Sequence, residues 1–257
     1  MNNDKYQKVI SLVKILGKPL VKMSGSIADI GINKKWVTEQ DFIIEKEIAK
    51  LIKTFGDNHK VYAEELHNNF EECDEIWIID PISNTKGFIN GWYHFAIVLS
   101  HMRKGILQFA LVYDPAVDEL FTAYKNNGAF LNETRISVSP RKDDLYFLFP
   151  STERKPLSVN QNGELVKELI KLGSLRNIGS VGLHYAYVAC GRADCAITIN
   201  KDCFPEFAGK LLLEESGGKL TDFYGNELSE VPMGIIASRS DIYPKIKSIM
   251  DTILKMA

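Results

Sequence analysis

Five β-rich runs follow one another between residues 94 and 139: HFAIVLSHM, GILQFALVYDP, ELFTAYK, GAFLN and TRISVS. Connections this short can close hairpins but cannot carry the crossover that parallel strands require, so the runs must form an antiparallel meander. Just upstream, EIWIID (75–80) is a continuous apolar run, the pattern of a strand buried on both faces. After Pro140 the pattern changes. DLYFLFP reads as a strand, GELVKELIKLG as a helix, and LRNIGS as a strand into a turn. GLHYAYVACGRA is a helix ended by Gly191, CAITI a strand, and EFAGKLLLEESGG a helix closed by Gly217-Gly218. GIIAS is a last strand before a C-terminal helix. Alternating strands and helices predict a more parallel sheet, so the chain is α/β in class with a lobe boundary near 140–145. Residues 1–142 then form an N-terminal antiparallel lobe and 143–257 a mixed C-terminal lobe.

Ahead of the meander, residues 3–24 read as one helix and SGSIADIG as a loop. A second helix starts near Val37, with Thr38 as N-cap and Asp41 three positions on, an arrangement like a capping box. VYAEEL is a short strand followed by two acids. A net charge of −2, with Lys and Arg spread along the chain, offers no basic face for nucleic acid or an acidic membrane. No stretch approaches the roughly 20 apolar residues that span a bilayer. The start does not read as a signal peptide, and the four cysteines lack CxxC spacing, so free thiols and a cytoplasmic location are expected.

Chemistry concentrates at IWIIDPISNTKGF, residues 76–88. Asp41, the Glu64-Glu65 pair and Asp80 are the informative acids, and the last two follow β-rich runs that would hold them rigidly. Hard cations such as Mg²⁺ take carboxylate and carbonyl oxygens. Ser83-Asn84-Thr85 then opens a helical turn, whose free N–H groups suit phosphate. Ser83 serves equally as a plain N-cap, and Asp80 as a turn cap.

VTEQD (37–41), AEEL (63–66), WIIDPISNTKGFINGWYHFAIVLS (77–100), GAFLN (128–132), YAYVACGRADCAI (185–197) and FAGKLLLEESGG (207–218) together resemble the inositol monophosphatase family, bisphosphate nucleotidases included. The resemblance covers nearly the whole chain. It implies a layered α/β/α/β/α sandwich and a homodimeric, Mg²⁺-dependent phosphomonoesterase acting on a phosphorylated small molecule. Carried across, Glu65, Asp80 and the carbonyl of Ile82 match first-metal ligands. Thr85 matches the threonine that orients the attacking water with Glu65, and Asp41 an acid at a weaker additional metal. Ser83, Asn84 and Thr85 fall where the substrate phosphate would sit.

The departures matter as much. The family turn DP[IL]DGT is here DPISNT, so Ser83 replaces a second-metal aspartate and Asn84 a glycine. Pro205 stands where another second-metal aspartate belongs, and Thr198 where an acid often meets substrate hydroxyls. Asp41, Glu65 and Asp80 are the acids that remain. Glu206 lies one helical step, about 100°, from Pro205, which argues against direct substitution. Asp202 could reach the site only by a loop rearrangement. Two readings follow: an impaired pseudoenzyme keeping one weak Mg²⁺ site, or a working phosphatase with an altered metal arrangement. A third, partner binding that bypasses the pocket, finds no charge patch or repeat to name a partner. His94 and His184 are expected to pack, the acid run EELHNNFEECDE to be a solvated loop, and at least one of Glu214 and Glu215 to be exposed.

Overall fold

The computed structural model describes residues 4–31, 36–65, 73–139, 144–149, 157–199, 204–228 and 234–256. The segment expected as one helix over 3–24 is two, α1 (Asp4–Gly17) and α2 (Leu20–Met23). Pro19, between them, has no N–H to continue the ladder, and in an unbroken helix its ring would clash with the turn before it. Helix α3 (Glu39–Lys53) begins at the expected cap: Asp41 Oδ2 accepts the N–H and the hydroxyl of Thr38 at 2.8 and 2.6 Å.

The first sheet contains β1 (His59–Ala63), β2 (Glu75–Ser83), β3 (Ala96–Arg103), β4 (Ile106–Asp114), β5 (Glu119–Tyr124), β6 (Gly128–Leu131) and β7 (Thr134–Ile136), in chain order. The meander is antiparallel as expected, but β1 joins β2 in parallel. The short helix α4 (Thr85–Ile89) follows β2. The second sheet comprises β8 (Leu145–Leu148), β9 (Gly173–Arg176), β10 (Cys195–Thr198), β11 (Gly218–Asp222) and β12 (Ile235–Arg239). Its order is β11-β12-β10-β8-β9, parallel across β10, β8 and β9 and antiparallel on the other side. Strand β11 is not evident from the sequence pattern. Gly217 makes the left-handed turn out of the preceding helix at φ 88°, and Gly218 already pairs with Arg239. The remaining helices are α5 (Val159–Ile170), α6 (Val181–Ala189), α7 (Phe204–Ser216) and α8 (Tyr243–Leu254).

Strand alternation assigns the layers. Trp77, Ile79, Ile97 and Leu99 face α1 and α3, whereas Ile76, Ile78, Ala96 and Val98 face α6 and α7. Leu148, Ala196, Leu220 and Ala237 of the second sheet close on the same two helices, while Phe147, Ile197 and Ile236 turn to α5 and α8. The result is the α/β/α/β/α sandwich. Helices α6 and α7, from the second half of the sequence, therefore share one core with the first sheet. No helix among the described residues is long and apolar enough to cross a membrane. Cys73, Cys190 and Cys195 are free, and Cys203 lies outside the described residues.

The α6–α7 contact depends on one missing side chain. A Cβ at Gly209 would sit 2.2 Å from Cδ2 of the buried Tyr185 ring. That ring cannot swing away freely, because its hydroxyl is bound at the far end by Thr198 and Glu206. Gly209→Ala should therefore cost about 1–3 kcal/mol in urea unfolding. Gly163→Ala, on α5 with nothing within 4 Å of the added carbon, should instead gain a few tenths to about 1 kcal/mol from helix propensity. Equal effects at the two positions would refute the packing argument.

Candidate active site

The parallel pairing of β1 with β2 builds the site. It sets Ala63 beside Ile79, and the Glu64 N–H continues the ladder to Ile79 O at 3.2 Å. Glu64 and Glu65 thus leave β1 next to Asp80 on β2. The β2–β3 register shifts between Asp80 and Ser83, which turns the Asp80-Pro81-Ile82 backbone out of regular pairing. Helix α3 lays its first turns alongside: the Glu65 N–H donates to Glu45 Oε1 at 2.8 Å. Thr85 Oγ1 donates to Ile82 O at 2.8 Å and lies 3.4 Å from Asp41 Oδ1.

Asp41, Glu45, Glu65 and Asp80 are all buried. The carboxyl of Asp41 is pushed up to about 7, first by burial; Thr38's hydrogen bonds oppose the shift, and the charges of Glu65 and Glu64 add to it. Carboxylates forced together out of water favour a counter-cation, and an all-oxygen set of carboxylates with the Ile82 carbonyl suits a hard ion. Glu45 escaped the sequence reading. Its signal was present, since it lies four residues after Asp41 on the same helical face.

Ser83 and Asn84 depart from expectation. Ser83 is not a helix cap: it is the last residue of β2, and its Oγ accepts the Gly182 N–H in the first turn of α6 at 3.4 Å. Asn84 is the cap of α4, in the left-handed conformation at φ 77°. Asparagine tolerates that region better than most residues, which is how it replaces a glycine here. Its Oδ1 accepts the Gly87 N–H at 3.1 Å, and its Nδ2 donates to His94 O at 2.8 Å. The amide fills the space between Gly87 and Gly179, where added carbons would fall 2.1 and 2.3 Å from Nδ2. His94 itself is exposed rather than packed, whereas His184 is fully buried.

Across the site, Phe204 at the start of α7 stacks on Tyr62 of β1, centroids 4.8 Å apart. Pro205 occupies the first turn of α7 and is buried. Glu206, the next residue, is fully buried; its Oε1 accepts the Tyr185 hydroxyl at 3.2 Å, and that hydroxyl lies 2.8 Å from Thr198 Oγ1. Asp202 and most of the EELHNNFEECDE run lie outside the described residues. Glu214 is exposed, and Glu215 binds the Asn126 and Gly128 N–H groups. Another donor group, His59, Glu75 and His101, gathers at the opposite end of β2 with its donor atoms within 4.8 Å of one another.

A family model described as the inositol monophosphatase family matches residues 11–254. The chain belongs to the inositol monophosphatase family. It is 33% identical to an inositol-1-monophosphatase of Rhizobium meliloti, over 81% of this chain and 82% of that one. It is 34% identical to the Nus factor SuhB of Vibrio cholerae, over 74% and 73% of the two chains. Among solved structures, the Thermotoga maritima IMPase superposes with a TM-score of 0.86 at 29% identity, covering 98% of both chains. The inositol monophosphatase family is Mg²⁺-dependent, and the oxygen-rich cleft between α3, β1 and β2 suits that ion.

Proposed function

We propose that the protein binds a phosphomonoester beside one Mg²⁺, with hydrolysis slowed by loss of the second-ion ligands. Glu65, Asp80 and the Ile82 carbonyl would hold that ion, with Asp41 behind them. A bound Mg²⁺ supplies electrophilic charge that makes water a better nucleophile and offsets phosphate charge. Thr85, fixed through Ile82 O, would orient the water with Glu65. Ser83, Asn84 and Thr85 would receive the phosphate at the start of α4, where the Asn84 side chain already takes one N–H. The carrying observation is Ser83 Oγ. Where a carboxylate would bring charge to a second cation, a neutral hydroxyl accepts the Gly182 N–H instead. Pro205 offers no oxygen ligand in its side chain either. A cytoplasmic homodimer acting on a sugar, inositol or nucleotide phosphate is the setting the family likeness supports.

A second reading, a working phosphomonoesterase, is favoured by Glu206, a fully buried acid one residue beyond Pro205. Calorimetric Mg²⁺ titration, run beside phosphate release from sugar, inositol and nucleotide monophosphates, separates the two. One Mg²⁺ per chain, lost in Asp80→Asn, with feeble turnover is the expected result. Robust Mg²⁺-dependent turnover would establish the second reading, and absence of Mg²⁺ binding at millimolar concentration would overturn both.

A further inference from the structure

At the end of β2 remote from Asp80, roughly 16 Å along the strand, three neighbouring strands present His59, Glu75 and His101 on the α1 face of the first sheet. The register sets His59 beside Glu75 and His101 beside Trp77. Glu75 Oε2 lies 2.6 Å from His101 Nε2 and 4.0 Å from His59 Nδ1. We propose that this cluster is a site for a borderline divalent transition-metal ion of the zinc class, independent of the magnesium cleft, with the Lys5 ammonium as its resident stand-in.

Two imidazoles and one carboxylate form a donor set that suits zinc-class ions rather than magnesium. The surroundings are those of an oriented ligand set. Arg103 Nε holds the other carboxylate oxygen, Oε1, at 2.5 Å, which leaves Oε2 aimed at the two rings. Tyr6 Oη is 2.9 Å from His101 Nδ1, so with Nε2 on a metal the Nδ1–H has an acceptor waiting. Lys5 Nζ lies 3.4 Å from that same Oε2 and within 6 Å of the Tyr6 and Trp77 rings. A metal must displace this ammonium, and His59 Nδ1 must release the Trp77 Nε1–H it now accepts at 2.9 Å.

The test uses the full chain, stripped by chelator and titrated with Zn²⁺ against a chromophoric competitor. The proposal expects one Zn²⁺ per chain, unaffected by millimolar Mg²⁺, with a shift in tryptophan emission as Trp77 loses its acceptor. His59→Gln should weaken binding by more than about 100-fold, since losing a ligand costs more than losing a ligand's hydrogen-bond partner. Lys5→Met should tighten it by about tenfold, a gain that a merely structural network would not give. Glu75 and His101 also hold Arg103 and Tyr6, so their variants risk misfolding, and His59→Gln and Lys5→Met decide the matter. Absence of Zn²⁺ binding, or binding that these two variants leave unchanged, overturns the proposal.

Discussion

Restoring aspartate at Ser83 and Pro205 together should raise Mg²⁺-dependent phosphate release by about 10²–10³-fold, the scale on which a transition-state charge stabiliser counts. Phosphoryl transfer depends on positioning and on charge aimed at the oxygens that become negative. Two divalent ions would face the acids Asp41, Glu65 and Asp80, while Glu45 accepts the Glu65 N–H and Glu206 the Tyr185 hydroxyl, each through one carboxylate oxygen. Both substitutions suit their places. Residue 83 meets the start of α6 and residue 205 lies in the first turn of α7, ends of helices where a carboxylate is favoured. Each single reversion should give less than about tenfold, because one new carboxylate leaves the second cation under-coordinated. Initial rates on the phosphomonoester panel, with Mg²⁺ stoichiometry rising from one to two, provide the check. A double variant no faster than the parent would mean that Pro205 and Ser83 are not the defect, and Glu206→Gln would then identify the substitute.

Replacing His184 with leucine should stabilise the fold, and more so in acid. His184 is fully buried in α6, and neither ring nitrogen has a hydrogen-bond partner among the described residues. A neutral imidazole always carries one N–H, so the parent bears an unsatisfied donor worth about 1–3 kcal/mol. Burial alone holds its pKa down to about 3, from an ordinary 6.5. The unfolded chain therefore takes up a proton near pH 6.5 that the folded chain refuses. Stability from the neutral ring is complete above that pH and drains away as pH falls toward 3, at about 1.4 kcal/mol per unit. Urea unfolding should show His184→Leu ahead at pH 7.5, with the gap about 2 kcal/mol wider at pH 5. A gap of equal size at both values would show that the ring is protonated in the fold.

Much of this architecture was legible because it is local. Short turns between Ala96 and Ile136 fix the antiparallel order, and the Thr38–Asp41 pairing marks the start of α3. Pro19 was equally local, and its break of the first helix follows from its chemistry. The parallel docking of β1 was not legible, because strand direction there depends on pairing over the intervening chain rather than on residue periodicity. At the site, Asp41, Glu64, Glu65 and Asp80 could be singled out because acids at strand and helix ends are conspicuous. The tie of Ser83 to Gly182 spans 99 residues, and that of Glu206 to Tyr185 spans 21. No local pattern carries such contacts. Ser83 and Asn84 misled for a subtler reason: serine and asparagine cap about equally well, and only the extent of β2, which runs through Ser83, leaves Asn84 as the cap.

Helices α6 and α7 are encoded after the meander but cover one whole face of its sheet. The halves of this sequence are consequently not interchangeable modules. A recombination event joining the first half to a distant relative's second half would mismatch Gly182 against Val98, Phe204 against Tyr62 and Ser83 against Gly182 at one stroke.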